Sequence, residues 1–134
     1  MKRNSRLSLA LHTLGHMAAD PDRVRTSADI AAHVGTNPVV VRRVLGRLRV
    51  AGLLNSEKGH SGGWRLARSP EAISLADVYL ALDESLFSRD STDEKLNCAV
   101  EHALHSRVID LVEDIESAFV ERLAATTIAE ALDA

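Results

Sequence analysis

The chain has 134 residues, of which 46% are hydrophobic, so it can bury one sizeable core and little more. Aromatic residues make up only 3%, which argues against stacking single-stranded nucleic acid on aromatic platforms, and one cysteine excludes an internal disulfide, as suits a reducing cytosol. The net charge of −3 divides into a basic first half (twelve Lys and Arg against four Asp and Glu in residues 1–70) and an acidic second half (four against fifteen), so a phosphate-bearing partner should meet the first half.

The first predicted element is a helix with one apolar face. The residues that keep helical spacing on this face are Leu7, Ala10, Leu11, Leu14, Met17 and Ala18. On the other side His12 and His16 lie four residues apart, a spacing that can hold a metal ion when other ligands join. Without such ligands nearby, the pattern is more typical of two solvated histidines, and His12 is kept as a candidate ligand. No stretch reaches membrane-spanning length, so we expect a soluble, cytoplasmic protein.

A second, short helix precedes a tight turn. Thr26 or Ser27 caps it, and its inward face is predicted to consist of Ile30, Ala31 and Val34. Gly35, Thr36 and Asn37 then separate it from a third helix. Two short helices joined by such a turn form the helix-turn-helix pattern, whose second member enters the major groove of DNA. An ordinary helical hairpin has the same outline.

The third helix displays arginines over an apolar underside. Asn37 is a good N-cap, Pro38 suits the first helical position, and Gly52 is placed for a left-handed stop. The predicted buried face consists of Val41, Val44, Leu45 and Leu48. The opposite face holds arginines and no carboxylate: Val39, Arg43, Gly46, Arg47 and Val50, with Arg42 at its edge. A solvated amphipathic helix is the alternative to a DNA-reading one.

A β-hairpin is predicted after the arginine helix. Residues 53–58 can form one strand, residues 59–63 a glycine-rich turn and residues 64–66 the returning strand. This is the order of a winged helix, whose wing would meet the minor groove. A plain surface hairpin is the alternative.

A long amphipathic helix is predicted in the acidic half. It follows a short helix, which Ser74 and Asp77 open with a capping box, and a polar stretch from Ser85 to Asn97. Its apolar stripe needs cover, and we expect a second copy of the same helix to provide it through Val108, Leu111, Val112, Ile115 and Phe119. Folding back onto its own domain is the alternative. Thr127 and Glu130 predict a second capping box and a terminal helix.

Cys98 is the residue with potential switching chemistry. It lies near the start of the long helix and three residues after Lys95, where the helix dipole and a cation favour the thiolate. The sequence therefore predicts a lowered pKa for a redox or electrophile switch, and an inert packed thiol is the alternative.

Five motifs give the chain a resemblance to a known family. They are NPVVVRRVL (37–45), AGLL (51–54), GHSGGWRL (59–66), ISLADVYLALD (73–83) and LAATTIAEAL (123–132). In this order they resemble the Rrf family of bacterial winged-helix regulators, and NPVVVRR is most similar to its cluster-free, YwnA-like branch. The resemblance implies a homodimer on palindromic operator DNA. Cluster-binding members have three cysteines, of which Cys98 matches only the last; His12 falls on the helix that supplies a histidine ligand in some members.

We therefore predict a mainly α-helical fold with a small β-hairpin: a winged helix-turn-helix domain (1–83), a linker (84–97) and a dimerisation helix with a short terminal helix (98–134). The expected function is a dimeric, sequence-specific transcriptional regulator, a repressor and not an enzyme. The predicted DNA contacts are Thr36, Asn37, Val39, Val40, Arg42, Arg43, Arg47, Lys58, His60 and Arg65. No cofactor is expected. The alternatives are an iron–sulphur sensor with Cys98 and His12 as partial ligands, and a winged-helix module that binds protein instead of DNA.

Overall fold

The computed structural model describes residues 6–57, 63–83 and 98–133. Along these ranges the elements are α1 (Arg6–Ala19), α2 (Ser27–Val34), α3 (Pro38–Val50), β1 (Leu54–Ser56), β2 (Trp64–Leu66), a 3-10 turn (Pro70–Ala72), α4 (Leu75–Ala81), α5 (Ala99–Ala124) and α6 (Ile128–Asp133). This is the predicted, mainly helical architecture with one hairpin. None of the helices in the described ranges combines the length and apolar character needed to cross a bilayer.

The core lies where the apolar faces of α1, α3 and α4 meet. On α1 the buried side chains include Leu7, Ala10, Leu14 and Met17, as helical spacing predicted, while Leu11 and Ala18 pack at the core's edge. All four residues of the predicted underside of α3 are at most 1% exposed. Because these residues recur at three- and four-residue steps, each helix turns a single stripe toward its neighbours.

Local side-chain caps define where the helices begin. Thr26 Oγ1 accepts a hydrogen bond from the Asp29 N–H (3.1 Å), which resolves the choice between Thr26 and Ser27. Ser74 and Asp77 form the predicted reciprocal capping box at the start of α4. The Glu130 N–H donates to Thr127 Oγ1 (3.1 Å) at the start of α6. Each of these bonds satisfies a backbone group that the first helical turn leaves unpaired.

The hairpin is a two-stranded antiparallel sheet that is anchored to the loop before α2. Leu54 pairs with Leu66 and Ser56 with Trp64, so the first strand is shorter than the predicted 53–58. Arg25 extends the sheet, since the Trp64 N–H donates to the Arg25 carbonyl (2.8 Å). Gly63 lies so close to Arg25 and Val24 that a side chain there would collide with both. Sequence periodicity did not predict that Arg25 pairs with the hairpin.

The end of the chain returns to the first domain. The Ile128 N–H donates to the Ile73 carbonyl (2.8 Å), and the Leu75 N–H donates to the Thr126 carbonyl (2.9 Å). Ile128 is 4% exposed and belongs to the same core cluster as the residues of α1 and α3. The core therefore extends beyond the predicted domain 1–83, because α6 supplies part of it.

Candidate nucleic-acid interface

A tight turn between α2 and α3 sets the angle between these two helices. Gly35 adopts a left-handed backbone (φ 83°), and its N–H donates to the Ala31 carbonyl (2.9 Å). The Thr36 N–H donates to the same carbonyl (3.0 Å), so the Ala31 carbonyl accepts hydrogen bonds from two residues of the turn. Glycine suits this position because a Cβ disfavours a positive φ. The three-residue turn predicted from the sequence is thus present and hydrogen-bonded to the last turn of α2.

Helix α3 begins and ends at signals that its sequence carries. Asn37 Oδ1 accepts a hydrogen bond from the Val40 N–H (3.1 Å), and Pro38 occupies the first helical position. After the helix, Gly52 has a φ of 81°, and the Leu53 N–H donates to the Leu48 carbonyl (2.9 Å). The helix is therefore fixed at both ends, and its outward face has one defined orientation.

The outward face of α3 is exposed and cationic. Arg42, Arg43 and Arg47 are exposed, Val39 is 54% exposed and Val40 is 37% exposed. Of the two predicted contact residues that precede the helix, Asn37 is exposed and Thr36 is half-buried. Arg49, which the sequence analysis did not single out, is also exposed and adds to the charge near the end of the helix. The helical spacing of Arg49 relative to Arg42 and Arg43 could have identified it as an outward-facing arginine.

The base of the hairpin is held rigidly, and its tip lies outside the described residues. Trp64 Nε1 donates to Ser27 Oγ (2.9 Å), which joins β2 to the first turn of α2. Arg65 points outward from the same strand, and its Nε lies 3.1 Å from Glu57 Oε1 in an exposed ion pair. Lys58 and His60, the other predicted contacts of the wing, fall among the residues that are not described.

Helix α5 is long and has no fully buried residue among its 26. An apolar stripe runs along its first four turns and onto the fifth, with residues 54–65% exposed: Val100, Leu104, Val108, Leu111 and Ile115. Val112 is half-buried. Toward its end the helix contacts α4, where the Phe119 ring stacks on Tyr79 at a centroid distance of 5.4 Å. Of the predicted dimerisation residues, Phe119 thus packs within its own chain, whereas Val108, Leu111 and Ile115 face outward.

Cys98 is exposed and occupies the N-cap position of α5. The nearby backbone N–H groups of Glu101 and Val100, in the first turn of α5, lower the pKa of its thiol, because they favour the thiolate. This is the direction that the sequence predicted, with the helix N-terminus as the cause. The predicted contribution of Lys95 lies outside the described residues.

Three histidines converge, two of them the pair noted in the sequence and one that the sequence did not identify. His12 and His16 from α1 meet His33 from the last turn of α2, with Nε2–Nε2 distances of 3.1 Å from His16 to each of the others. Burial, followed by the two neighbouring imidazoles and Arg25, lowers the pKa of His16. Among the described residues, this trio is the group of three candidate metal ligands, and Cys98 does not belong to it. His33 was missed because it lies 17 residues from His16.

Comparisons with known proteins agree with one another. The family model for Rrf2, described as an iron-dependent transcriptional regulator, matches residues 3–134. The chain is 34% identical to YwnA of Bacillus subtilis, named as an HTH-type transcriptional regulator, over 97% of this chain and 96% of YwnA. It is 32% identical to slr0846 of Synechocystis sp., also named as an HTH-type transcriptional regulator, over 72% of this chain and 67% of the relative.

Solved structures share the same architecture. A crystal structure described as a DNA binding protein superposes with a TM-score of 0.75 at 29% identity, covering 96% of this chain and 99% of its own. The oxidised form of CymR from Staphylococcus aureus superposes with a TM-score of 0.65 at 22% identity, covering 100% of this chain and 98% of CymR. At that lower identity the similarity establishes the fold.

Proposed function

The chain belongs to the Rrf2 family of transcriptional regulators, and from this membership we propose that it represses transcription as a homodimer bound to palindromic duplex DNA. It is a DNA-binding regulator of the helix-turn-helix type. The observation that carries the proposal is the outward face of α3, which presents exposed arginines on a helix whose underside is completely buried. We assign α3 to the major groove and the hairpin to the adjacent minor groove.

The side chains of α3 have the chemistry for both phosphates and bases. A guanidinium can bond bidentately to the O6 and N7 of guanine or to a phosphate, so Arg42, Arg43 and Arg47 are assigned to base edges or the backbone. Val39 and Val40 are exposed enough to contact thymine methyl groups. Thr36 and Asn37 lie at the N-terminus of α3, where backbone dipoles favour a phosphate.

The wing supplies the remaining proposed contacts, namely Lys58, His60 and Arg65. The exposed ion pair between Arg65 and Glu57 is worth little in water, about 0–1 kcal/mol. Arg65 could therefore exchange the Glu57 carboxylate for a DNA phosphate at little cost in free energy. Because Trp64 ties the base of the hairpin to α2, the wing and α3 would approach the duplex as one unit.

The exposed stripe of α5 supports a dimer. Five large apolar side chains that are each more than half exposed form a continuous seam along one face of a long helix. A two-fold pair of such helices would bury both seams and place two copies of α3 on one side of the duplex, about 34 Å apart. In this arrangement residues 1–83 read DNA, residues 98–134 contain the dimerisation helix, and residues 84–97 connect them. The five exposed residues of the stripe carry this proposal. Phe119 does not, because its ring packs on Tyr79 of the same chain.

We further assign a redox response to Cys98, which is exposed and has a lowered pKa. Its thiolate would attack an oxygen of hydrogen peroxide, forming an S–O bond as the O–O bond breaks. Water leaves after protonation, so the cysteine is oxidised to a sulfenic acid and the peroxide is reduced. Cys98 begins the proposed dimerisation helix, and a modification there would act on the dimer.

Operator selection followed by fluorescence anisotropy tests the DNA proposal. Duplexes that bind are selected from random DNA, and their affinity is measured for the wild type, Arg43→Ala and Arg122→Ala. Arg122 is an exposed arginine on α5, so its variant matches the loss of charge away from α3. We expect Arg43→Ala to lose most specific affinity, roughly 1–3 kcal/mol for a bidentate base contact, with Arg122→Ala unchanged.

The result also distinguishes the protein-docking alternative. A DNA-binding dimer should select a palindrome and lose affinity steeply as salt rises. Absence of any salt-dependent DNA affinity, or normal operator affinity of Arg43→Ala, would contradict the proposed interface.

A further inference from the structure

The cluster of His12, His16 and His33 brings together side chains from two helices. His12 and His16 lie one turn apart on α1, and His33 lies on the last turn of α2. His16 Nε2 is 3.1 Å from Nε2 of each neighbour, and one ring nitrogen from each of the three residues lies within 4.8 Å of the others. His12 and His33 are exposed and His16 is half-buried, so a small solute can reach the cluster.

Hydrogen bonds alone satisfy this arrangement poorly. An imidazole nitrogen carries either one proton or one in-plane lone pair. If His16 Nε2 carries a proton, it must divide that proton between two acceptors; if it does not, one lone pair faces two donors. A metal ion resolves the conflict, because three neutral imidazoles can direct their lone pairs at one point. A tetrahedral ion held about 2.0–2.1 Å from each nitrogen keeps the nitrogens about 3.3 Å apart, close to the 3.1 Å from His16 Nε2 to each of its two neighbours.

We propose that His12, His16 and His33 form a binding site for one divalent transition-metal ion, with an open position facing the neighbouring cavity. That cavity has a volume of about 480 Å³ and is also lined by Thr13, Arg23, Arg25 and Asp29. The Thr13 Oγ1 in the wall of this cavity is buried and makes no hydrogen bond with the described residues. Three protein ligands plus one exchangeable position is the arrangement of reactive or sensing metal sites.

The surroundings select the class of ion. Two arginines line the cavity against a single carboxylate, Asp29, and Arg25 Nη2 is held by the His16 carbonyl at 3.2 Å. The three nitrogen ligands disfavour Mg²⁺ and Ca²⁺, which need oxygen ligands. Imidazole nitrogen instead favours Zn²⁺, Fe²⁺, Ni²⁺ and Cu²⁺. The site therefore takes a borderline transition-metal ion.

The position of His33 links the site to α3. His33 is two residues before Gly35, and a second cavity, lined by His12, His33, Gly35, Thr36 and Val40, continues from the cluster to the start of α3. A bound ion would fasten α1 to the end of α2 and so fix the turn that sets the angle of α3. This coupling rests on the proposed DNA-binding function, whereas the metal site itself does not.

Metal binding is tested on the untagged full chain after treatment with a chelator. Titration with ZnCl₂ by calorimetry should give one equivalent per chain, and Co²⁺ should develop the visible absorption of a tetrahedral complex. The variants are His12→Gln and His33→Gln, both exposed, with His102→Gln on α5 as a matched exposed control and Cys98→Ser to exclude the thiol. Loss of a ligand should weaken Zn²⁺ binding at least about tenfold, whereas both controls bind as the wild type.

Several outcomes would overturn the site. These are the absence of Zn²⁺ and Co²⁺ binding, unchanged binding in both ligand variants, or equal loss in His102→Gln. Operator affinity with and without Zn²⁺ then tests the coupling: we expect a change in the wild type that His33→Gln abolishes. A metal site without that change overturns the coupling alone, and a protein that binds Zn²⁺ but no DNA overturns the proposed function and leaves the site intact.

Discussion

Trp64 and Ser27 join the wing to the helix-turn-helix unit. The indole Nε1 donates to Ser27 Oγ (2.9 Å) across 37 residues of sequence, while the Trp64 backbone pairs with Arg25. The two contacts attach β2 to both sides of the point where α2 begins. A wing held in this way has a fixed position relative to α3, because both share α2 as a support.

Two glycines should respond in opposite directions to the same added methyl group. At Gly63 a Cβ would collide with Val24 and the Arg25 carbonyl, so Gly63→Ala should lower the free energy of unfolding by roughly 1–3 kcal/mol. At Gly46, in the middle of α3, a Cβ meets nothing within 4 Å, so Gly46→Ala should raise it by about 0.5–1 kcal/mol. Urea denaturation measures both values, and a Gly63→Ala protein as stable as the wild type would contradict the close contact.

A charge placed in the exposed stripe of α5 should dissociate the dimer. Leu111→Glu would bury a carboxylate at the proposed interface, which we expect to weaken association at least about 100-fold, or roughly 3 kcal/mol. Leu80→Glu on α4 is the matched control, since Leu80 is 61% exposed against 55% for Leu111. Light scattering coupled to gel filtration reports the mass. A monomeric wild type, or a dimer unaffected by Leu111→Glu, would refute the interface.

The thiol of Cys98 should react at lower pH than an ordinary cysteine. The backbone N–H groups of Glu101 and Val100 lower its pKa, so the nucleophilic thiolate is present in larger amount below the usual titration range. The rate of alkylation by iodoacetamide, measured against pH, should therefore rise at lower pH than that of N-acetylcysteine amide. Coinciding profiles would contradict the cap effect.

Cys98 should be required for the response of DNA binding to peroxide. Peroxide should change the operator affinity of the wild type and leave that of Cys98→Ser unaltered. Equal responses of the two proteins would show that the effect of peroxide on operator affinity does not depend on Cys98.

Acid should destabilise the metal-free protein through His16. Burial and the neighbouring imidazoles hold the pKa of His16 below its usual 6.5, so as the pH falls the unfolded chain binds protons first. The contribution of His16 to the free energy of unfolding should thus be fully present above about pH 6.5 and be lost as the pH falls below it. Denaturation at several pH values with a chelator present measures the decline, which His16→Gln should reduce and His102→Gln should retain. An identical decline in all three proteins would argue against His16.

The sequence by itself determined those features that depend on residues within a turn or two of one another. The cap at Asn37, the buried face from Val41 to Leu48, the capping box at Ser74 and the lowered pKa of Cys98 follow from local backbone geometry and helical periodicity. Helical periodicity, the turn at Gly35 and the glycine-rich hairpin signal likewise predicted the winged helix-turn-helix and its arginine helix, and the family motifs agreed.

Tertiary structure decided the features that join distant residues. The approach of His33 to His12 and His16, the bond from Trp64 to Ser27, the burial of Ile128 in the first domain and the stacking of Phe119 on Tyr79 have no local signature. Periodicity reports which face of a helix is apolar, but it does not report which element covers that face. That partner is selected by packing of the whole chain, which is also why the stripe of α5 divides between its own domain and solvent.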